Sequence, residues 1–246
     1  MKIIALDTSG LVAGVAILED ENTIAEYTVN YKKTHSQTLL PMLDEVKRMT
    51  ELDLESVDAI AVSAGPGSFT GLRIGSATAK GLGLALKKPI IPVPTVDAMA
   101  YNFVAMLTDA YICPIMDARR SQVYTGLYSF SAREKEGTIK ELENDFRIHM
   151  QACAMDVVAL AEKLNDIGQK VIFLGDGVPV YQDALRAHLR IPFSFAPSNN
   201  NRQRASSVGL LAMQYYRQGK WETAADHSPI YLRMSQAEQE RMEKNG

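Results

Sequence analysis

Three carboxylates each follow a short apolar segment, a position from which they could hold a hydrated Mg²⁺ ion beside a phosphate. Asp7 ends the segment Lys-Ile-Ile-Ala-Leu-Asp, and the hydroxyls and N–H groups of Thr8 and Ser9 could contact that phosphate. Asp117 and Asp176 occupy comparable positions in the second half of the chain. A local Asx or Ser turn would also explain Asp7, without a ligand. We expect all three carboxylates to face one cleft, which favours a shared binding site.

A glycine-rich segment, Ala-Gly-Pro-Gly-Ser-Phe-Thr-Gly-Leu-Arg-Ile-Gly, spans 64–75 between a predicted strand and a predicted helix. Free N–H groups and the helix dipole favour an anion there. The segment is not a P-loop, because no Gly-Lys-Ser/Thr follows, and Gly65, Gly67 and Gly71 have the wrong spacing for the dinucleotide fingerprint. The candidate caps of the helix are Ser68 and Thr70.

Small residues recur along one face of that helix, at Gly71, Gly75 and Ala79. Such a face lets another backbone approach closely, so it predicts tight packing inside the chain, phosphate binding or contact with a partner protein. The preceding predicted helix, 36–51, has more apolar surface than one core-facing stripe requires. Its apolar residues are Leu39, Leu40, Met42, Leu43, Val46 and Met49. We therefore expect the two helices to form a partner interface.

Other catalytic patterns are missing from the sequence. The four histidines are scattered without an HExxH motif, no serine lies in a GxSxG elbow, and neither cysteine has an evident activating environment. His35 begins the segment His-Ser-Gln-Thr-Leu-Leu-Pro and is typical of a hydrogen-bonding residue at a helix start. Arg119-Arg120 and Lys87-Lys88 are too short to be nucleic-acid-binding tracts.

Composition and charge further restrict the class of protein. The 246 residues carry a net charge of −3, which argues against a strongly cationic nucleic-acid-binding surface but leaves a local basic patch open. Asp7 interrupts the first apolar run before a signal-peptide core forms, and no apolar stretch reaches the ~20 residues of a membrane helix. Cys113 and Cys153 are expected to be free thiols, so we expect a cytoplasmic protein without a membrane contact.

Periodicity predicts the same plan twice: strand, Asp, hairpin, then helix, strand, glycine loop and helix. In the first half the predicted strands are 2–7, 12–18, 23–30, 58–63 and 89–93, and the predicted helices are 36–51, 70–86 and one beginning near Thr95. In the second half the predicted strands are 111–117, 122–130, 139–150 and 171–174, and the predicted helices are 156–164, 180–189 and 206–217. The segment 229–233 closes the fold, and an exposed helical tail begins at Ser235. The plan indicates two α/β halves with mixed sheets.

Several motifs together resemble the bacterial TsaB (YeaZ) family over nearly the whole chain, to about residue 233. They are Leu-Asp-Thr-Ser at 6–9, His-Ser-Gln…Leu-Leu-Pro at 35–41, the glycine segment at 64–75, Met-Asp-Ala-Arg…Val-Tyr at 116–124 and Pro-Ile-Tyr-Leu-Arg at 229–233. The resemblance implies a duplicated actin/Hsp70/sugar-kinase (ribonuclease H-like) fold. It divides into an N-terminal subdomain at 1–108, a C-terminal subdomain at 109–233 and a polar tail at 234–246.

The resemblance also implies a role in forming the threonylcarbamoyl group on the adenosine beside the anticodon of tRNAs that read codons starting with A. The catalytic relative of this family, the TsaD type, holds a metal through two histidines in a Val-Asn-His-x-x-x-His stretch. The corresponding stretch here is Val-Pro-Thr-Val-Asp-Ala-Met, so Thr95 and Met99 stand at the ligand positions. Neither side chain substitutes for imidazole, so we expect no metal and no catalytic residue, which also argues against a glycoprotein endopeptidase.

The resemblance thus implies a scaffold that pairs with a TsaD-type catalytic paralogue and a TsaE-type P-loop ATPase, forms a homodimer when alone and reaches tRNA indirectly. The alternative is an autonomous actin-like ATPase or small-molecule kinase that uses Asp7 and Asp176 with Mg·ATP. The expected nucleotide-binding residues, for at most weak ATP or ADP with Mg²⁺ in the complex, are Asp7, Thr8, Ser9 and Asp176. The expected interface residues are Leu39, Met42, Leu43, Val46, Gly71, Gly75 and Ala79. The remaining motif residues are His35, Gly65, Gly67, Ser68, Thr70, Arg73, Asp117 and Arg119.

Overall fold

The computed structural model describes residues 1–20, 22–31, 33–104, 106, 108–134 and 142–233. Ten strands and six α-helices are formed within these ranges. The strands are β1 (Lys2–Asp7), β2 (Ala13–Glu19), β3 (Asn22–Val29), β4 (Ala59–Gly65), β5 (Ile90–Pro94), β6 (Tyr111–Asp117), β7 (Gln122–Glu134), β8 (Leu142–Asp156), β9 (Val171–Leu174) and β10 (Phe193–Phe195). The helices are α1 (His35–Met49), α2 (Phe69–Leu86), α3 (Thr95–Ala100), α4 (Val157–Ile167), α5 (Val178–His188) and α6 (Ala205–Arg217), with 3₁₀ turns at Leu54–Ser56 and Tyr101–Phe103.

The two halves of the chain form two five-stranded mixed sheets with the same plan. The first has the order β3-β2-β1-β4-β5 and the second the order β10-β9-β6-β7-β8. In the first, β1, β2 and β3 are antiparallel while β1, β4 and β5 are parallel. In the second, β6, β7 and β8 are antiparallel while β6, β9 and β10 are parallel. The predicted duplication and its actin-like fold class are therefore confirmed.

Sequence patterning placed most elements within a few residues of their observed ends. It missed β10, a strand of three residues that is too short to show a period. It also missed the length of β7 and β8, which are paired as far as Glu134 and Leu142. The predicted helical tail from Ser235 lies outside the described residues, and the subdomain boundary near residue 108 stays a prediction.

The core consists of three apolar clusters, one of which joins the two halves. This joining cluster includes Ile3 and Ala61 of the first sheet, Ile112 and Tyr128 of the second sheet, and Leu211 of α6. α6 packs against β1 and β2, so the chain returns to the first sheet after completing the second. Within the described part of the chain, no helix is long and apolar enough to cross a membrane.

Candidate functional site

The loop after β1 is held by hydrogen bonds within the loop and by hydrogen bonds to the start of α2. Asp7 accepts hydrogen bonds through Oδ1 from Ser9 N at 2.9 Å and from Ser9 Oγ at 2.7 Å, which is an Asx turn. Thr8 Oγ1 donates to the Gly71 carbonyl oxygen at 2.7 Å. The Ser68 N–H donates to the Ser9 carbonyl oxygen at 2.7 Å. Groups that could have contacted a phosphate thus bind one another.

Asp7 and Thr8 are also inaccessible to a ligand. Asp7 is 2% exposed and Thr8 is fully buried. Burial raises the pKa of the Asp7 carboxyl, while its hydrogen bonds from Ser9 lower it. The interpretation of Asp7 as part of a local turn is therefore the one that the structure supports.

The glycines of α2 allow this close approach of helix and strand end. A Cβ on Gly67 would overlap the Ser9 carbonyl oxygen, one on Gly71 would overlap the Thr8 carbonyl oxygen, and one on Gly75 would overlap Thr8 Oγ1. Of the three alternatives for the small-residue face, tight packing inside the chain is therefore the one observed.

The predicted interface residues are wrong as a contact surface, because they lie in the chain's own core. Leu39, Met42, Leu43, Val46 and Ala79 pack in one apolar cluster with residues of β1, β2 and β4. Gly71 and Gly75 are buried against the end of β1. Of the apolar residues named on the predicted helix 36–51, Leu40 (55%) and Met49 (70%) are exposed, and Leu84 of α2 is also exposed (62%).

A C-terminal strap, residues 222–233, runs along α2 and contacts it from Gly83 to Phe69. Its start pairs with β5 in a two-way backbone bridge between Glu222 and Ile90. Lys80 Nζ donates to the carbonyl oxygens of Ala225 at 3.0 Å and His227 at 2.8 Å. The strap is thereby fixed to the first half of the molecule.

A buried Ser–His–Glu chain strengthens this attachment. His227 Nε2 lies 2.5 Å from Ser76 Oγ, and its Nδ1 lies 2.6 Å from Glu222 Oε1. The order of groups is that of a hydrolase triad, but Ser76 is 4% and His227 1% exposed, and neither lines the cleft described below. The chain of hydrogen bonds therefore holds the strap. Sequence analysis missed it, since these residues lie up to 151 positions apart without a motif.

The end of the strap crosses from the first half to the second. Tyr231 stacks on Phe69 with ring centroids 4.8 Å apart, and the Arg73 guanidinium lies 4.0 Å from the Phe69 ring centroid. Arg73 Nε donates to Tyr231 Oη at 3.3 Å, and Arg233 Nη1 donates to the Ala118 carbonyl oxygen at 2.6 Å. The strap also passes close to Gly65, where a Cβ would overlap the Ile230 carbonyl oxygen. Residues 229–233 thus close the fold as predicted.

In the second half, Asp117 is the centre of a polar cluster at the end of β6. Its Oδ1 accepts from Arg119 N at 2.8 Å and from Tyr181 Oη at 2.8 Å, and its Oδ2 lies 3.2 Å from the Arg119 guanidinium. Asp117 N donates to Asp176 Oδ1 at 3.3 Å. Burial raises the pKa of the Asp176 carboxyl. Tyr181 was not identified from the sequence, because nothing marks a tyrosine four positions into a helix as polar.

A cleft of about 1050 Å³ separates the two halves and brings many of the predicted residues together. At its first wall, His35 Nε2 lies 2.8 Å from the Gly10 carbonyl oxygen. Thr70 joins the wall, and Ser68, the observed N-cap of α2, accepts from Gly71 N at 3.3 Å. The predicted residues that line the cleft are Ser9, His35, Gly67, Ser68, Thr70, Gly71, Asp117, Arg119 and Asp176; Asp7, Thr8, Gly65, Arg73 and Gly75 are not among them.

Thr95 and Met99, which the resemblance aligns with the metal-binding histidines of the catalytic type, are core residues in this chain. Thr95 is fully buried and Met99 is 1% exposed, and Met99 packs in the cluster that joins the two halves. Among the described residues, no three His, Cys, Asp or Glu side chains are grouped so that they could hold a metal ion.

Comparison with known proteins gives consistent matches. The family model described as "TsaD: tRNA N6-adenosine threonylcarbamoyltransferase" matches residues 22–241. The chain is 32% identical to a Bacillus subtilis protein named tRNA threonylcarbamoyladenosine biosynthesis protein TsaB, over 97% of this chain and 96% of that one. An Escherichia coli protein of the same name is 26% identical, over 95% of each chain. A crystal structure from Pseudomonas aeruginosa, described as similar to peptidase YEAZ, matches with a TM-score of 0.75 and 25% identity over 94% of this chain and 99% of that one.

Proposed function

Since the chain belongs to the TsaB family, we propose that it takes part in tRNA threonylcarbamoyladenosine biosynthesis as a non-catalytic subunit. It would pair with a TsaD-type catalytic paralogue and a TsaE-type ATPase in the cytoplasm, and form a homodimer when alone. Matches along nearly the full length of both chains support the pathway. The subunit role rests on the geometry of the cleft.

The observation that carries the non-catalytic role is the closure of the loop after β1. Phosphate-binding loops offer free N–H groups and hydroxyls to their ligand. Here the Thr8 hydroxyl is bonded to Gly71, and the Ser68 N–H is bonded to Ser9. Opening the loop for a phosphate would break both bonds and separate α2 from the sheet. This supports weak nucleotide binding at most.

The position of α3 supports the same role. In the resemblance described above, histidines at the two positions occupied by Thr95 and Met99 hold the metal of the catalytic type. Here both side chains are part of the buried core. Electrostatic stabilisation by such a metal contributes several kcal/mol to a transition state, and neither a hydroxyl nor a thioether here would replace it.

The proposed role is tested by reconstitution. Threonylcarbamoyladenosine formation is measured with purified TsaD-type and TsaE-type proteins, with this chain, without it, and with the double variant Asp7→Asn/Asp176→Asn. Asparagine keeps the Oδ1 acceptors of Ser9 and of Asp117 N, and a thermal unfolding curve shows that the variant is folded. We expect at least a tenfold loss on omission and nearly full activity with the double variant.

The kinase-like alternative gives the opposite result in a simpler assay. The isolated chain is incubated with Mg·ATP, and phosphate release is followed. Rapid hydrolysis that disappears in the double variant would show that Asp176 and the loop after β1 act on ATP. That outcome, or full reconstituted activity without this chain, would overturn the proposed role.

We propose that the partner interface is formed by the exposed side of α1 and α2. Gly75→Leu would not test it, because the new side chain would clash with Thr8 inside the chain. Leu84→Glu on α2 and Leu40→Glu on α1 place a charge on exposed apolar positions instead. We expect either variant to weaken self-association by about 1.5 kcal/mol or more, since a charge buried in an apolar contact is costly.

The matched control is Ile167→Glu at the end of α4, an exposed apolar residue of the other half. Sedimentation equilibrium of the wild type and the three variants gives the dissociation constants. If the α1 and α2 variants associate as tightly as the control, the interface lies elsewhere on the molecule.

A further inference from the structure

The cleft combines cationic side chains with exposed aromatic rings at its mouth. Lys33 lies on the wall formed by the first half, and Arg119 and Arg120 lie on the β6–β7 turn of the second half. Tyr31 is 70% exposed, and Tyr231 of the strap is 41% exposed. Single-stranded nucleic acids are bound by this combination of groups, because aromatic rings stack on bases while cations contact phosphates.

The cationic side chains of this cleft differ in whether they already have a hydrogen-bond or ion-pair partner within the chain. Arg119 is paired with Asp117, and Arg233 is bonded to the Ala118 carbonyl oxygen. Within the described ranges, the side chains of Arg120 and Lys33 make no hydrogen bond or ion pair and remain available to an anion, although the Lys33 N–H donates to the Tyr31 carbonyl oxygen at 2.7 Å. They stand on opposite walls of the cleft, in a chain whose net charge is −3. Their position therefore places one free cation on each wall of the cleft.

Two parts of the cleft favour different ligands. Its floor is formed by the loop after β1 with Asp117 and Asp176, and its mouth by Tyr31, Lys33, Arg120 and Tyr231. At the floor, the loop after β1 is closed by its bonds to α2, and the carboxyls of Asp117 and Asp176 would repel a phosphate chain. At the mouth, the rings and the free cations are open to solvent. A Mg·nucleoside triphosphate would have to bind at the floor, whereas a nucleic-acid strand that passes between the two walls could bind at the mouth alone.

We propose that the mouth of this cleft binds a single strand of RNA, with bases stacked on Tyr31 and Tyr231 and phosphates held by Lys33 and Arg120. This inference deepens the proposed function and rests on it, because it gives the subunit its own contact with an RNA substrate. The expectation of a purely indirect contact with tRNA would then be replaced by a direct one.

The chain offers a matched pair of cations for a test. Arg120 in the cleft has φ = 54°, and Lys87 at the end of α2, which does not line the cleft, has φ = 55°. Asparagine adopts this left-handed conformation readily, so Arg120→Asn and Lys87→Asn each remove one exposed charge without new backbone strain. The corresponding aromatic pair is Tyr31→Ala in the cleft and Trp221→Ala, at a residue 49% exposed outside it.

Binding is measured by fluorescence anisotropy with a fluorescein-labelled, ten-nucleotide single-stranded RNA of mixed sequence, on the isolated full chain over a range of salt concentrations. We expect Arg120→Asn to weaken binding at least threefold and to reduce the salt slope by about 0.7, the contribution of one phosphate on a single strand. Tyr31→Ala should weaken binding about fivefold or more. Lys87→Asn and Trp221→Ala should leave both quantities unchanged.

Three results would overturn the inference. These are no binding at 50 mM salt, equal losses in the cleft variants and their controls, and displacement of the RNA by millimolar AMP, which would identify a mononucleotide site. The assay contains no partner protein, so its outcome is independent of reconstitution. RNA binding without any effect of omission would refute the proposed function alone, and an effect of omission without RNA binding would refute this inference alone.

Discussion

Replacing Gly71 by alanine is expected to lower the free energy of unfolding by about 3 kcal/mol, although alanine is the better helix former. The new Cβ would overlap the carbonyl oxygen of Thr8, a backbone atom fixed at the end of β1. α2 would have to move away from the strand, which stretches the hydrogen bond from Thr8 Oγ1 to the Gly71 carbonyl oxygen. Overpacking costs about 1–3 kcal/mol, and a lost buried hydrogen bond adds about 1 kcal/mol.

The same helix contains the control. A Cβ on Gly81 would meet nothing within 4 Å, so Gly81→Ala should raise the free energy of unfolding by up to about 1 kcal/mol through helix propensity. Urea titration of both variants gives the two changes, and the melting temperature of Gly71→Ala should fall by roughly 6–12 °C. Changes of opposite sign at the two glycines are the signature of close packing at Gly71. If Gly71→Ala is as stable as Gly81→Ala, the helix does not lie against Thr8 as described.

The sequence contains enough information for the duplicated plan because each half repeats a strong local pattern. Buried strands such as β1 and β6 are short apolar runs that end in Asp, and the main helices have clear 3.6-residue periodicity. The Asx turn at Asp7 was foreseeable for the same reason, since an Asp followed by Thr and Ser bonds its own backbone. These features depend on neighbours in the chain.

Features that depend on distant neighbours were not predictable. A stripe of small residues on α2 shows only that something approaches closely, and β1 of the same chain satisfies it as well as a partner would. The strap contacts α2 through His227 and Tyr231, whose partners Ser76 and Phe69 lie 151 and 162 positions earlier. No period or motif connects them, so the strap and the cleft that it borders became visible only in three dimensions.

A buried carboxylate between the two halves was likewise missed by sequence analysis. Asp97 of α3 is 3% exposed, and its Oδ1 accepts a hydrogen bond from Tyr128 Oη at 2.7 Å. Its Oδ2 accepts from Tyr215 Oη of α6 at 3.3 Å. One side chain thus connects α3, the second sheet and α6. Burial raises the pKa of this carboxyl, while the two tyrosine hydrogen bonds lower it.

Asp97→Ala is expected to lower the free energy of unfolding by about 2–4 kcal/mol. The substitution leaves the hydroxyls of Tyr128 and Tyr215 without their acceptor, and each unsatisfied buried group costs about 1–3 kcal/mol. Asp97→Asn keeps an oxygen acceptor for Tyr128 and should change the stability at pH 7 by less than about 1 kcal/mol. Urea titration of both variants checks the difference. An alanine variant as stable as the asparagine variant would mean that these hydrogen bonds contribute nothing.

Asparagine at position 97 should also remove part of the pH dependence of stability. Because the pKa of Asp97 is raised in the folded state, the folded protein binds more protons than the unfolded one above the ordinary pKa of about 4. The stability of the wild type should therefore fall relative to Asp97→Asn as the pH rises from about 4 through the folded-state pKa, and the difference should then become constant. Asp7 and Asp176, whose pKa values are also raised by burial, remain in both proteins and cancel in the comparison. Urea titrations of the two proteins between pH 4 and 8 give this difference directly, and a difference that grows in favour of the wild type would show that the tyrosine hydrogen bonds outweigh burial.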